Sequence, residues 1–150
     1  MNFKDLIAKG GLIAEKQIGS DQVERYLKRA RKDLSTAKKI LVIDPPASLD
    51  LVYKAMFHSA NGLIRLYGLR PGRIGQHKAL IEAVGRILGK PAEALVLKFD
   101  KLRQKRNYFE YGAGFRSSKD EIKNTTKLAK QFLKLVERNV QDKNPQKRLF

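Results

Sequence analysis

Apolar residues recur every three or four positions along five segments of this 150-residue chain, and this spacing constrains the fold more than any other feature. The stripes are Val23, Leu27, Ala30, Leu34, Ala37 and Leu41; Leu49, Val52, Tyr53, Met56, Phe57, Ala60, Ile64 and Tyr67; Leu80, Ile81, Val84, Ile87 and Leu88; Leu95, Phe99, Leu102 and Phe109; and Ile122, Thr125, Ala129, Phe132, Val136 and Val140. A period near 3.6 puts each stripe on one face of a helix. Each segment is therefore predicted to be an amphipathic helix with its apolar face in a shared core.

Prolines, glycines and capping residues separate the five predicted helices. The first ends at Asp44-Pro45-Pro46, because proline lacks the amide hydrogen and restricts the residue before it. Ser48 is the expected cap of the second helix. Residues 68–75 are expected to form a connecting turn, Gly89 ends the third helix, and Ser118 begins the fifth with capping-box spacing.

The fold class that follows is all-α, an up-and-down antiparallel bundle of about five helices, because short connectors make neighbouring helices antiparallel. Residues 1–19 are predicted to be an N-terminal extension, with a short extra helix over 2–9. Residues 20–140 form the helical bundle, and 141–150 form a basic tail.

The chain is strongly basic, with 32 Lys and Arg against 15 Asp and Glu and a net charge of +17. Such an excess attracts polyanions, above all the phosphate backbone of nucleic acids. The absence of cysteine excludes disulfides and thiolate zinc sites and favours a reducing compartment. No segment has the roughly 20 apolar residues of a membrane-spanning helix, and no secretory signal is recognisable. We expect a cytoplasmic protein without membrane contact.

Arg106 is the most informative single residue, because the helical period places it where the fourth stripe requires an apolar side chain. One interpretation is structural: Arg106 reaches the edge of the bundle and forms an i,i+4 pair with Glu110. The other is functional: Arg106, with Arg103 and Asn107 beside it, binds a phosphate, for which a planar and permanently charged guanidinium is well suited. The sequence leaves both open.

The second helix carries a polar face beside its apolar stripe. Lys54, His58, Asn61 and Arg65 follow one another at spacings of three and four, so they share this face. It is a candidate dimer interface or cleft wall. His58 and His77 lie on different predicted helices and make too thin a set for a metal site, so we predict neither a metal nor a cofactor.

Two motifs carry a family resemblance. Residues 49–68, LDLVYKAMFHSANGLIRLYG, resemble the second helix of HEPN domains with its Y-x-A-x-F-H-A-A pattern, and residues 102–112, LRQKRNYFEYG, resemble their fourth-helix motif. The resemblance extends over about residues 26–140. It implies a helical bundle that dimerises, that often acts as a metal-independent endoribonuclease, and that is frequently encoded beside a minimal nucleotidyltransferase as a toxin–antitoxin pair.

The sequence departs from the active form of that motif, in which an arginine is followed four to six residues later by histidine. Neither Arg103 nor Arg106 is followed by a histidine at that distance. The match is to the degenerate R-x-x-x-[DE]-Y branch, which puts Arg106, Glu110 and Tyr111 at the motif positions. As catalytic candidates, Glu110 would accept a proton and Tyr111 would donate one. Whether the chain cleaves RNA stays open at this point.

We therefore predict a HEPN-domain, RNA-binding component of a prokaryotic toxin–antitoxin or stress-response system, acting as a homodimer. Arg103 and Asn107 would contact RNA and Tyr108 would stack a base. A metal-independent endoribonuclease is the catalytic form of this prediction. The alternative is a non-catalytic helical module that docks a nucleotidyltransferase or another acidic partner. A third interpretation is a binder of membranes or nucleic acids driven by charge alone.

Overall fold

The computed structural model describes residues 2–111 and 117–143, with the backbone alone for 107–111. The elements are α1 (Lys4–Ala8), β1 (Leu12–Ala14), α2 (Ser20–Ile40), α3 (Pro45–Leu66), β2 (Leu69–Pro71), α4 (Gln76–Leu88), a 3₁₀ turn (Lys90–Ala92), α5 (Glu93–Tyr111) and α6 (Lys119–Lys143). The predicted all-α bundle is confirmed. Among the described residues, no helix is both long enough and apolar enough to cross a bilayer.

The apolar stripes meet in one core. Each of the five long helices contributes a side chain with no exposed surface, namely Leu27, Leu63, Leu80, Phe99 and Phe132. Burial of a side chain of this size contributes about 1.5–3 kcal/mol relative to an exposed one. The periodicity of the sequence thus corresponds to the inner faces of the helices.

Helices α2 and α3 form an antiparallel hairpin. The residue that caps the N-terminus of α3 is not the one predicted. The side chain of Asp44 accepts a hydrogen bond from the amide of Ala47 at 3.1 Å, so Asp44 is the cap. The two prolines that follow occupy the first turn, where a missing amide hydrogen costs least. Ser48 is therefore not the cap as predicted. Its hydroxyl instead donates to the carbonyl of Ala37 at 2.7 Å and ties the two helices together.

The N-terminal segment packs on the bundle. Strands β1 and β2 pair antiparallel, with Leu12 opposite Pro71 and Ala14 opposite Leu69. Leu6 and Leu12 are both buried in the core. The predicted turn over 68–75 therefore contains a strand, which its three residues are too short to reveal by alternation.

Helix α3 makes polar contacts with the helices on both of its flanks. Asp33 and His58 join α2 to α3, while Asp50 and Arg106 join α3 to α5. Helix α6 packs against both α2 and α3, and its predicted cap is confirmed, since Ser118 Oγ accepts from the amide of Glu121 at 3.1 Å. Each site described below is thus bordered by α2, by α3 or by both.

Candidate nucleic-acid interface

Arg106 lies in the contact between α5 and α3. Its Nε donates to Asp50 Oδ1 at 2.9 Å, and its guanidinium carbon lies 5.1 Å from the centre of the Tyr53 ring. Lys54 Nζ is 2.9 Å from the other oxygen of Asp50. We call Asp50, Tyr53, Lys54 and Arg106 the α3–α5 cluster. One carboxylate there bridges two cations.

The electrostatics of the α3–α5 cluster favour a structural role. Burial raises the pKa of Asp50, but hydrogen bonds from Arg106 and Lys54 outweigh this effect, so the pKa lies below its ordinary value. Burial also raises the pKa of Tyr53, whose hydroxyl forms a 2.7 Å hydrogen bond with His77 Nδ1. These charged and polar groups satisfy one another within the fold.

The other candidate residues of α5 fall into two groups. Arg103 Nε donates to Asp100 Oδ1 at 2.8 Å along the same helix. Four predicted site residues have side chains outside the described part of the chain, namely Asn107, Tyr108, Glu110 and Tyr111. The proposed i,i+4 pair between Arg106 and Glu110 therefore remains a prediction.

His58 lies on the opposite flank of α3, against α2. Its Nδ1 is 2.8 Å from Asp33 Oδ2, and Arg29 Nε is 3.1 Å from Asp33 Oδ1. The Asp33 side chain is only 1% exposed, whereas the His58 side chain is 31% exposed. A buried carboxylate thus fixes the orientation of a histidine that reaches the surface.

His58 opens into a cleft of about 460 Å³ between α2 and α3. The lining residues of this α2–α3 cleft are Ile18, Gln22, Arg25, Tyr26, Arg29, His58 and Arg65. Arg65 donates from Nε to Asn61 and from Nη1 to Glu15, and its guanidinium carbon lies 5.3 Å from the Tyr26 ring centre. The α3 face predicted from spacing is therefore divided: His58 and Arg65 line the cleft, Asn61 accepts a hydrogen bond from Arg65, and Lys54 belongs to the α3–α5 cluster.

A second basic surface lies between α2 and α6. This α2–α6 groove of about 640 Å³ is lined by Ala37, Lys38, Leu41, Asp120, Lys123, Asn124, Thr126, Lys127 and Lys130. The ammonium group of Lys38 faces that of Lys130 and, together with partial burial and Lys134, lowers the pKa of Lys130. Four like charges thus share one groove.

Sequence reasoning missed two carboxylates that organise these sites. Asp33 is spaced three and four residues from Ala30 and Ala37 on the first apolar stripe, which is an available signal for a buried acid that needs a partner. For Asp50, the i,i+4 spacing to Lys54 is an available signal, but its partner Arg106 lies 56 residues away and cannot be found from spacing. Across residues 2–106 and 117–143, whose side chains are described, the acidic and histidine side chains form no group of three or more arranged to hold a metal ion.

Comparison with protein families agrees with the motifs. The profile of the HEPN domain matches residues 23–139, which run from the first turn of α2 through most of α6. A search among curated proteins finds no match. Since the profile covers well over half of the chain and its helices form the expected bundle, this protein belongs to the HEPN domain family.

Proposed function

We propose that this HEPN-domain protein binds RNA as a cytoplasmic component of a prokaryotic toxin–antitoxin or stress-response system. The observation that carries the proposal is the α2–α6 groove, in which four lysines line one space of about 640 Å³. Lysine binds phosphate as a point charge. Release of condensed counterions makes such contacts favourable at moderate salt.

The repulsion between lysines in the groove supports a polyanionic ligand. Lys38 lowers the pKa of Lys130, which means that a positive charge on Lys130 is less favourable than on an isolated lysine. Asp120 is the one acidic side chain among the described residues that line the groove. A phosphate backbone placed there would offset the repulsion, whereas a neutral ligand would not.

The lysines of the groove favour binding that does not depend on the RNA sequence. Its lysines contact phosphates rather than base edges, and phosphate contacts carry no sequence information by themselves. A homodimer, which the family resemblance implies, would have two such grooves. Single-stranded RNA of mixed sequence is therefore the ligand to test.

The test is fluorescence anisotropy with labelled single-stranded RNA between about 50 mM and about 200 mM salt. The groove variant combines Lys38→Gln, Lys123→Gln, Lys127→Gln and Lys130→Gln. We expect at least about tenfold weaker binding, and a slope of log K against log salt that is shallower by about 3, at roughly 0.7 per phosphate contact.

A matched control variant loses the same number of positive charges as the groove variant but keeps every lysine of the groove. It combines substitutions at four exposed lysines elsewhere: Lys9→Gln, Lys16→Gln, Lys78→Gln and Lys90→Gln. We expect this control to bind RNA more tightly than the groove variant does. Equal losses would contradict the groove as the binding surface, and no binding by the wild type would contradict the proposal.

A second candidate function is a non-catalytic module that docks a nucleotidyltransferase or another acidic partner. The observation that favours it is the engagement of Arg106 by Asp50 and Tyr53 within the fold. Under this function Arg106→Ala lowers thermal stability without changing RNA binding or cleavage. Loss of an RNA activity in a stable Arg106→Ala protein would instead favour the catalytic set Arg106, Glu110 and Tyr111.

A further inference from the structure

The Asp33–His58 hydrogen bond determines which ring nitrogen of His58 is available to accept a proton from a ligand. A carboxylate oxygen accepts hydrogen bonds, so the 2.8 Å contact between Asp33 and Nδ1 is made through a proton on Nδ1. In the neutral imidazole, Nε2 then carries the lone pair. No hydrogen bond to Nε2 is found within the described residues, and the ring borders the α2–α3 cleft. A buried aspartate that orients a histidine in this way is the arrangement of a general base.

The remaining lining of the cleft suits a phosphodiester. Arg25, Arg29 and Arg65 are brought together by helical spacing on α2 and by the packing of α3 against it. These three guanidinium groups outnumber the two carboxylates beside them, Asp33 and Glu15. Guanidinium groups bind phosphate oxygens and stabilise the charge that develops on them.

We propose that the α2–α3 cleft is a second, catalytic RNA site in which His58 Nε2 accepts the proton of a 2′-hydroxyl. The proposal rests on the RNA binding proposed above. The 2′-oxygen forms a bond to phosphorus as its proton passes to His58, the bond from phosphorus to the 5′-oxygen breaks, and that oxygen takes a proton from water. His58 then returns its proton to solvent, and the products carry a 2′,3′-cyclic phosphate and a 5′-hydroxyl.

This site differs from the R-x-x-x-[DE]-Y motif positions in its lining and its charge balance. In the α3–α5 cluster, Arg106 is engaged by Asp50 and the Tyr53 ring. In the cleft, Arg25 is exposed, and no ion pair of Arg25 is found within the described residues. The cleft therefore offers both a proton acceptor and a cation for the phosphate.

The test uses an end-labelled mixed-sequence RNA in chelator, with His58→Asn as the variant. Asparagine keeps an N–H group near the position of Nδ1 for Asp33 but has no basic nitrogen. We expect the wild type to cleave RNA to 2′,3′-cyclic phosphate ends and to leave an all-2′-deoxy strand intact. The His58→Asn protein should cleave about 10²–10⁴-fold more slowly with unchanged RNA affinity.

The matched control is His77→Asn, at the second histidine of the sequence. His77 also uses Nδ1 for a side-chain partner, the Tyr53 hydroxyl, and it stacks on Phe57 with ring centres 4.4 Å apart, away from the cleft lining. It should retain the wild-type rate, and circular dichroism should show equal helicity in all three proteins. Comparing the cleavage rates of His58→Asn and His77→Asn separates the role of His58 from the general effect of replacing a histidine.

The outcomes separate the two proposals. RNA that binds the wild type but is not cleaved overturns the catalytic role of His58 and leaves RNA binding in place. Cleavage that His58→Asn does not slow, in a protein of wild-type helicity, also overturns it. RNA that fails to bind the wild type overturns the proposed function and this inference with it.

Discussion

On each flank of α3, one aspartate bridges two basic side chains, but the two aspartates differ in burial. In the α3–α5 cluster, Asp50 bridges Lys54 and Arg106, and Arg106 is covered on one face by an aromatic ring. In the α2–α3 cleft, Asp33 bridges Arg29 and His58, but here the carboxylate is buried, Arg29 is exposed and His58 is partly exposed. Arg106 therefore lies against the fold, whereas Arg29 and His58 border an open cleft.

This difference predicts which property of the protein a substitution on each flank should change. A cation whose partners are inside the fold contributes mainly to stability, because its removal leaves those partners unsatisfied. A cation exposed around a cleft contributes little to stability and remains available to a ligand. The α3–α5 cluster should therefore respond to substitution in thermal unfolding, and the α2–α3 cleft in RNA binding and cleavage.

The largest expected effect comes from Gly62, which sets the distance between α2 and α3 at the cleft. A Cβ at this position would lie 2.7 Å from the Cβ of Tyr26, so a side chain must push the helices apart. We expect Gly62→Val to lower the free energy of unfolding by about 3 kcal/mol, and Gly62→Ala by less, because alanine is smaller and a better helix former. Urea denaturation measures both.

The same Gly62→Val protein sharpens the comparison between the flanks. Because the change widens the α2–α3 cleft, RNA cleavage should fall, while the coupling between Asp50 and Arg106 on the other flank persists. Wild-type stability in Gly62→Val would show that the close approach of the helices does not constrain the cleft.

A smaller effect is expected at Arg106. Arg106→Ala removes a cation–π contact and a partly exposed ion pair, so it should cost about 1–2 kcal/mol and lower Tm by roughly 3–6 °C. Arg25→Ala, at the cleft, should change stability by less than about 0.5 kcal/mol but weaken RNA binding. Calorimetry for stability and anisotropy for RNA binding, applied to both variants, test this contrast. A larger loss of stability in Arg25→Ala and a larger loss of RNA binding in Arg106→Ala would contradict it.

The smallest effect is a pH dependence at Asp50. Despite partial burial, hydrogen bonds from Arg106 and Lys54 lower its pKa in the folded protein, so its contribution to stability is present above the unfolded pKa and is lost as pH falls through the folded pKa. Asp50→Asn should therefore be less stable than the wild type at about pH 6, by a few tenths of a kcal/mol after solvent screening, with the gap closing below about pH 4. Asp142→Asn, at an exposed position on α6, is the control and should show no such narrowing.

Much of the fold could be predicted because its cause is local. The helix stripes are confirmed in the core, since burial follows the apolar period. The prediction of Thr125 as an inward residue is wrong, because the next residue, Thr126, is the buried one. The start of α3 was misplaced, because Asp44 and Ser48 are both good caps and only packing shows that Ser48 bonds Ala37. The β1–β2 pairing could not be predicted, because each strand has three residues and its partner is more than 50 residues away.

By itself, the sequence determined the helices, the all-α class, the HEPN motifs and the positive charge on which the proposal of a polyanionic ligand rests. It also placed Arg106 toward the core and His58 on a polar face of α3. The tertiary structure decided the partners, because Asp33 meets His58 and Asp50 meets Arg106 only when the helices pack. Helical period fixes the face of a side chain, whereas the charge beside it depends on which helix lies opposite.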